Sequence, residues 1–140
     1  MTLFDTSVVI DARDAESPWH RWARQQIADA NDDDAAAVNT IVVAEAAVRV
    51  IDREHFPSHL EKMGLKLLPL PISVAAPAAQ AYAKYLDRMK AEGKSAASRI
   101  PLGDFFIGAH AEAEGLKLVT RDPDRVKKYF PSVKLIVPKN

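Results

Sequence analysis

The residue pattern describes a single α/β domain over residues 1–140, with a mainly parallel sheet flanked by helices on both faces. Strand-like and helix-like segments alternate along the chain, no hairpin turn separates the strand segments, and 140 residues suit one domain. Thr2 to Phe4 is a short apolar opening strand. Asp5-Thr6-Ser7 then supplies side-chain oxygens that cap a helix over Val8 to Ala12. Ser17-Pro18 pairs a capping hydroxyl with a proline at the first helical position. Trp19, Trp22, Ala23, Ile27 and Ala30 follow at helical spacing, so a helix is expected over Pro18 to Ala30. The run Asp32-Asp33-Asp34 resembles a chelator but reads as a solvated loop, because adjacent carboxylates repel.

Ala35 to Val38 is expected as a short buried strand, and Asn39 or Thr40 caps a helix reaching about Asp52. Pro57 to Met63 forms a short helix closed by Gly64. Leu65 to Leu70 is a third strand, which Pro69 and Pro71 confine to an edge or an end. A long helix runs from Ser73 to about Lys90, with Tyr82, Tyr85, Leu86 and Met89 on one face; Pro77 weakens its first turn. Gly93 to Ser98 is a polar loop. Asp104 to Glu114 is a helix closed by Gly115, Leu116 to Val119 a strand, Pro123 to Tyr129 a helix, and Val133 to Val137 the last strand.

Composition narrows the function classes. Nineteen Lys and Arg balance nineteen Asp and Glu, so no overall charge favours a polyanion, and binding to nucleic acid or a membrane surface needs a local patch. The absence of cysteine removes disulfides, thiolate zinc sites and cysteine nucleophiles. No apolar stretch approaches the roughly 18 residues of a membrane span, and Asp5 interrupts the apolar start. A cytoplasmic protein with no membrane association is expected.

In open parallel sheets, ligands bind beyond the carboxyl ends of the strands, so the acids there carry the chemistry. Asp5 follows the first strand and Asp122 the fourth; if those strands are neighbours, their axes lie about 4.8 Å apart. The helix from Asp104 to Glu114 rises about 16 Å, and the strand back to Asp122 returns about as far, which sets Asp104 level with Asp122. Glu45 lies about 7–8 Å into its helix and leans back toward the same edge. Asp5 and Asp122 also read as plain helix caps, and Asp104 as a first-turn acid complementing the helix dipole. Glu45 is harder to explain that way. Every neighbour in Ile41 to Val48 is apolar, and a lone carboxylate there is costly unless paired, coordinated or wet. Four carboxylates in one pocket raise one another's pKa values unless a cation neutralises them, and hard oxygen ligands suit Mg²⁺ or Mn²⁺. An acidic, water-bearing metal site favours phosphoryl chemistry.

The segments Leu3-Phe4-Asp5-Thr6-Ser7-Val8-Val9-Ile10-Asp11, Asn39-Thr40 with Ala44-Glu45, Pro101 to Ala111, and Leu118-Val119-Thr120-Arg121-Asp122 resemble the four motifs of PIN-domain ribonucleases. Length and motif spacing are similar to those of VapC-type toxins of toxin–antitoxin (VapBC) pairs. The resemblance spans essentially the whole chain. It implies a PIN-like three-layer α/β/α fold with strand order 3-2-1-4-5, and Mg²⁺-dependent endoribonuclease activity that leaves a 5′-phosphate. It further implies that Asp5, Glu45, Asp104 and Asp122 are the catalytic acids, with Asp5 and Asp104 as direct metal ligands. Thr6, Ser7 and Thr120 would orient carboxylates or water. Asp124 either supplements the site or is a first-turn helix acid. The implied partners are the RNA substrate, a VapB-type antitoxin whose basic residues enter the acidic pocket, and a second copy of the chain.

The remaining residues divide between function and packing. His20, His55, His59 and His110 read as surface or packing residues; His55 and His59 have metal-like spacing, but Pro57 interrupts their helical face. Arg49, Arg53, Arg88, Lys90, Lys94, Arg99 and Arg121 are candidate contacts to the RNA backbone or simply solvated. Trp19 and Trp22 suit core packing or a dimer interface better than base stacking. Two other functions compete. A receiver-like phospho-switch needs an Asp after the third strand, where Leu70-Pro71-Ile72-Ser73 offers none. A PIN-fold scaffold would bind proteins without cleaving RNA.

Overall fold

A computed structural model of the chain describes residues 1–95 and 98–139. The expected loop from Gly93 to Ser98 therefore lies partly outside the described residues. The elements are β1 (Thr2–Phe4), α1 (Thr6–Arg13), α2 (His20–Asp33), β2 (Ala36–Asn39), α3 (Thr40–Ala47), α4 (Phe56–Lys62), β3 (Leu65–Leu68), α5 (Ala75–Ala91), α6 (Leu102–Glu114), β4 (Lys117–Val119), α7 (Pro123–Tyr129) and β5 (Leu135–Ile136). A 3-10 turn, Ile72–Val74, leads into α5. All pairings are parallel and the order is β3-β2-β1-β4-β5, so β3 is an edge strand, and Pro69 and Pro71 lie just past its end. The β1–β2 connection carries α1 and α2, which pack on each other, and the β3–β4 connection carries α5 and α6, which do the same.

β1 and β4 are neighbours in register Leu3↔Leu118 and Phe4↔Val119, so Asp5 and Thr120 leave the sheet side by side. The central strands are buried on both faces and carry apolar residues without alternation, as parallel strands do. Leu3, Phe4, Val38 and Leu118 pack with Val8, Val9, Phe56 and Phe105 in one core. On the face of α6, an aromatic set links Tyr82, Tyr85, Phe105, Tyr129 and Phe130. This packing needs a glycine at Gly108: a Cβ there would stand 2.4 Å from the Phe130 ring. Gly115 ends α6 at φ 63°, the left-handed geometry that glycine adopts without a Cβ penalty.

Three boundaries differ from the sequence reading for reasons of side-chain capture. The second helix starts at His20, not Pro18, because the Ser17 hydroxyl accepts the Trp19 N–H and donates to Asp11, holding this stretch as a turn. At its other end, Asp32 and Asp33 are helical and only Asp34 caps it; Asp33 pairs with Lys117 and Asp34 with the N-terminal ammonium. The third helix ends at Ala47, not Asp52, since Arg53 Nη2 donates to the Val48 carbonyl at 2.7 Å and its Nε to that of Ala47 at 3.3 Å. Strands three and five are shorter than expected, ending at Leu68 and Ile136. No helix among the described residues is long and apolar enough to cross a membrane.

Candidate active site

Asp5 sits one residue past β1 and caps α1. Its Oδ1 accepts the Thr6 N–H at 2.8 Å, and its Oδ2 accepts the Thr120 hydroxyl at 2.8 Å. The same Thr120 oxygen accepts the Asp122 N–H at 3.0 Å, so one buried threonine fixes both segments. From α3, Glu45 returns to the sheet edge and accepts the Thr6 hydroxyl at 2.6 Å. Asp104 enters in the first turn of α6, where the helix dipole favours an anion. Gly103, just before it, packs against Ile41 and Glu45, where a Cβ would lie at ordinary contact distance, 3.5 Å from a Glu45 carboxylate oxygen.

Asp5, Thr6, Ser7, Glu45, Asp104 and Asp122 line one pocket of about 390 Å³ at the carboxyl edge of the sheet. The four carboxylates come from segments far apart in sequence, and the fold brings them to one opening. Asp5 is buried, Glu45 and Asp104 are half-buried, and Asp122 is exposed. Burial raises the Glu45 carboxyl above its ordinary range, the Thr6 hydroxyl offsets part of this, and the charges of Asp104 and Asp5 raise it further. Asp104 is likewise raised, first by burial; Arg125 opposes the shift, and Asp5 and Asp122 add to it. Asp124, on the first turn of α7, lines an adjoining cavity and not this pocket.

Arg125 is the residue that sequence reasoning missed. It lies on α7, one turn after Asp122, with its side chain only 14% exposed. Its guanidinium approaches Asp122 at 3.5 Å and Asp104 at 3.9 Å, placing a positive charge inside the acidic pocket. The i,i+3 spacing of Asp122 and Arg125 at a helix start was the available signal. Arg121, a candidate RNA contact or simply a solvated residue, lines this pocket, and its guanidinium is committed to buried Asp11 through Nε at 2.6 Å and Nη2 at 3.3 Å, with Trp19 beneath it. Arg53 caps α3, as described above, and His55 pairs with Asp52. Trp19 and Trp22 pack edge to face, half-buried.

His110 is fully buried. The Asn39 carbonyl oxygen accepts the Val42 N–H, so its amide donates to His110 Nδ1, leaving Nε2 to donate to Glu114. This network joins β2 to α6 and sets the start of α3, and hence Glu45.

The pocket's donors are carboxylate and hydroxyl oxygens, the set that suits a hard divalent cation. Glu45 and Asp104 carry the electrostatic cost that such an ion relieves. Among the described residues, however, no three His, Asp or Glu side chains are already closed into a ligand cluster. The donor chemistry fits a cation, while Arg125 supplies positive charge between Asp104 and Asp122.

A family model described as PIN domain matches residues 2–130, and the chain belongs to that family. The sheet order places it there as well, in line with the order the motifs implied. Among solved structures, the chain is similar to VapBC2 from Rickettsia felis, bound to a DNA fragment from their promoter, at 19% identity and TM-score 0.63 over 99% of this chain and 98% of that one. It is similar to a toxin–antitoxin complex from Klebsiella pneumoniae at 18% identity and TM-score 0.66, covering 99% of this chain and 98% of that one. It is also similar to VapC20 from Mycobacterium tuberculosis, a sarcin–ricin-loop-cleaving toxin, at 13% identity and TM-score 0.62, over 91% of this chain and 95% of that one. At these identities the likeness is one of fold. No curated protein sequence matches the chain.

Proposed function

We propose that the protein is a metal-dependent endoribonuclease and the toxin of a VapBC-type toxin–antitoxin pair, acting in the cytoplasm. One observation carries the reading: four carboxylates from four separate segments line a single pocket at the carboxyl edge of a PIN-family sheet. Mg²⁺ or Mn²⁺ would be held by Asp5 and Asp104, with Glu45 and Asp122 completing the acidic set. Bound there, the ion would supply positive charge for hydrolysis of a phosphodiester.

The chain's own residues have distinct parts. Asp5 is aimed by the Thr6 N–H and the Thr120 hydroxyl, so both of its oxygens have fixed directions before any ligand arrives. Thr6 holds Glu45 and Thr120 holds the Asp122 backbone, which pre-orients three of the four acids. Ser7 offers a hydroxyl at the pocket wall. Arg125 limits repulsion between Asp104 and Asp122.

The fold shared with VapBC2 and the Klebsiella pneumoniae toxin–antitoxin complex supports a VapB-type antitoxin as partner, whose basic side chains suit an acidic pocket. A homodimer is part of the proposal, and size-exclusion chromatography with light scattering tests it. The nuclease reading is tested by incubating purified protein with structured RNAs in Mg²⁺ or Mn²⁺, with an EDTA control. Cleavage is expected with metal, none with EDTA, and none for Asp5→Asn or Asp104→Asn. Metal binding without cleavage of any RNA would favour the scaffold reading instead.

A further inference from the structure

The carboxylate pocket does not stand alone. A second cavity of about 690 Å³ opens between α5 and α7 and shares Asp122 and Arg125 with it. The two spaces adjoin at Asp122 and Arg125, which line both. Arg88, Lys94, Arg125 and Lys128 contribute four cationic side chains to the larger cavity. Its acids are differently placed. Glu92 pairs with Arg88 at 3.6 Å and Lys94 at 3.5 Å, Asp122 pairs with Arg125 at 3.5 Å, and Asp124 is exposed, so four cations face three acids. Lys128 makes no ion pair among the described residues. Half-buried Tyr129 forms an aromatic wall with buried Tyr85 behind it, and the Tyr129 hydroxyl accepts Arg88 Nη1 at 3.3 Å.

A substrate strand must leave the cleavage position in both directions. Another opening adjoins the pocket at Ile10 and Glu45, a cavity of about 550 Å³ whose cations are Arg13 and Arg49. Arg13 there lies 4.8 Å over the Phe56 ring, and Asp14 and Glu45 offset the charge. The α5–α7 side therefore has both the greater cationic density and the aromatic wall. A cationic groove beside aromatic side chains is the combination that holds single-stranded nucleic acid.

We propose that the α5–α7 cavity seats the single-stranded RNA next to the scissile bond, with Arg88, Lys128 and Arg125 gripping its backbone phosphates. This rests on the nuclease reading and extends it to a defined strand path.

The test measures binding of a short, mixed-sequence, fluorescein-labelled single-stranded RNA by anisotropy in EDTA over a series of salt concentrations. Arg88→Ala and Lys128→Ala are expected to weaken binding about three- to tenfold each and to flatten the log–log salt slope by about 0.7 each. Arg49→Ala, on the other opening, is expected to change affinity less than about twofold. Unchanged affinity and slope in both cavity variants, or a larger effect from Arg49→Ala, would overturn the assignment. Loss of a co-purified partner protein by these variants with RNA affinity intact would make the cavity a protein-docking surface and overturn it too. Parallel cleavage assays in Mg²⁺ separate the two levels. If the unaltered protein cleaves RNA and the cavity variants bind as it does, the strand path alone is wrong; if it cleaves none, the nuclease reading fails first.

Discussion

The Thr120 hydroxyl donates to Oδ2 of Asp5 at 2.8 Å, joining residues 115 positions apart across the ends of β4 and β1. The bond is buried and one partner is a carboxylate, so it belongs to the stronger class of about 1.5–3 kcal/mol. Thr120→Val should lower stability by about that amount and reduce cleavage, because Asp5 loses its fixed direction. Thr120→Ser, which keeps the hydroxyl, should restore most of the activity. Chemical denaturation and cleavage kinetics read the two effects. Equal activity in the valine and serine variants would mean that the hydroxyl does not aim Asp5.

Glu45 and Asp104 both hold their protons above the ordinary carboxylate range, burial being the main cause. As pH rises, the unfolded chain therefore releases these protons first, and folded stability falls until the folded groups have ionised as well. Above that point the penalty is complete. Glu45→Gln should consequently raise the melting temperature of the metal-free protein at pH 7, with the gain vanishing as pH drops to about 4. Thermal scans across pH in EDTA check this; a variant less stable at pH 7 and unchanged at pH 4 would reverse the sign.

Removing the internal cation should act the other way. With Arg125→Ala, Asp104 and Asp122 lose their nearest positive charge. The metal-free protein is expected to melt lower, and the rise in melting temperature on adding Mg²⁺ to be larger than in the unaltered protein. An identical Mg²⁺-induced rise in both proteins would show that Arg125 does not share the pocket's electrostatic work.

Gly108 gives a test independent of the site. Gly108→Ala forces a methyl group against Phe130, and overpacking of this kind costs about 1–3 kcal/mol. Urea unfolding should show that loss, while cleavage measured well below the midpoint stays close to normal.

Much of this organisation is legible in the residues because local and global signals agree. The α7 boundaries, the end of β3 before Pro69 and the end of α6 at Gly115 follow from proline, glycine and apolar runs that act within a few residues. The approach of Asp5, Glu45, Asp104 and Asp122 to one edge follows from strand and helix rise in a parallel sheet. What the residues do not reveal is decided by side chains meeting across the fold. Arg53 stops α3, Ser17 and Asp11 delay α2, and Asp11 claims Arg121 from 110 positions away. The sequence shows Arg125 only as an i,i+3 partner of Asp122; the approach of α6 to α7 turns that helix-surface arginine into the cation of an acidic pocket.

The most direct measurement is a Mn²⁺ titration followed by electron paramagnetic resonance, comparing the unaltered protein with Asp5→Asn and Asp104→Asn. Saturable binding of Mn²⁺ that Mg²⁺ displaces is expected, and its loss in either variant while both remain folded. Mn²⁺ bound equally well by all three proteins would place the ion elsewhere and contradict the site.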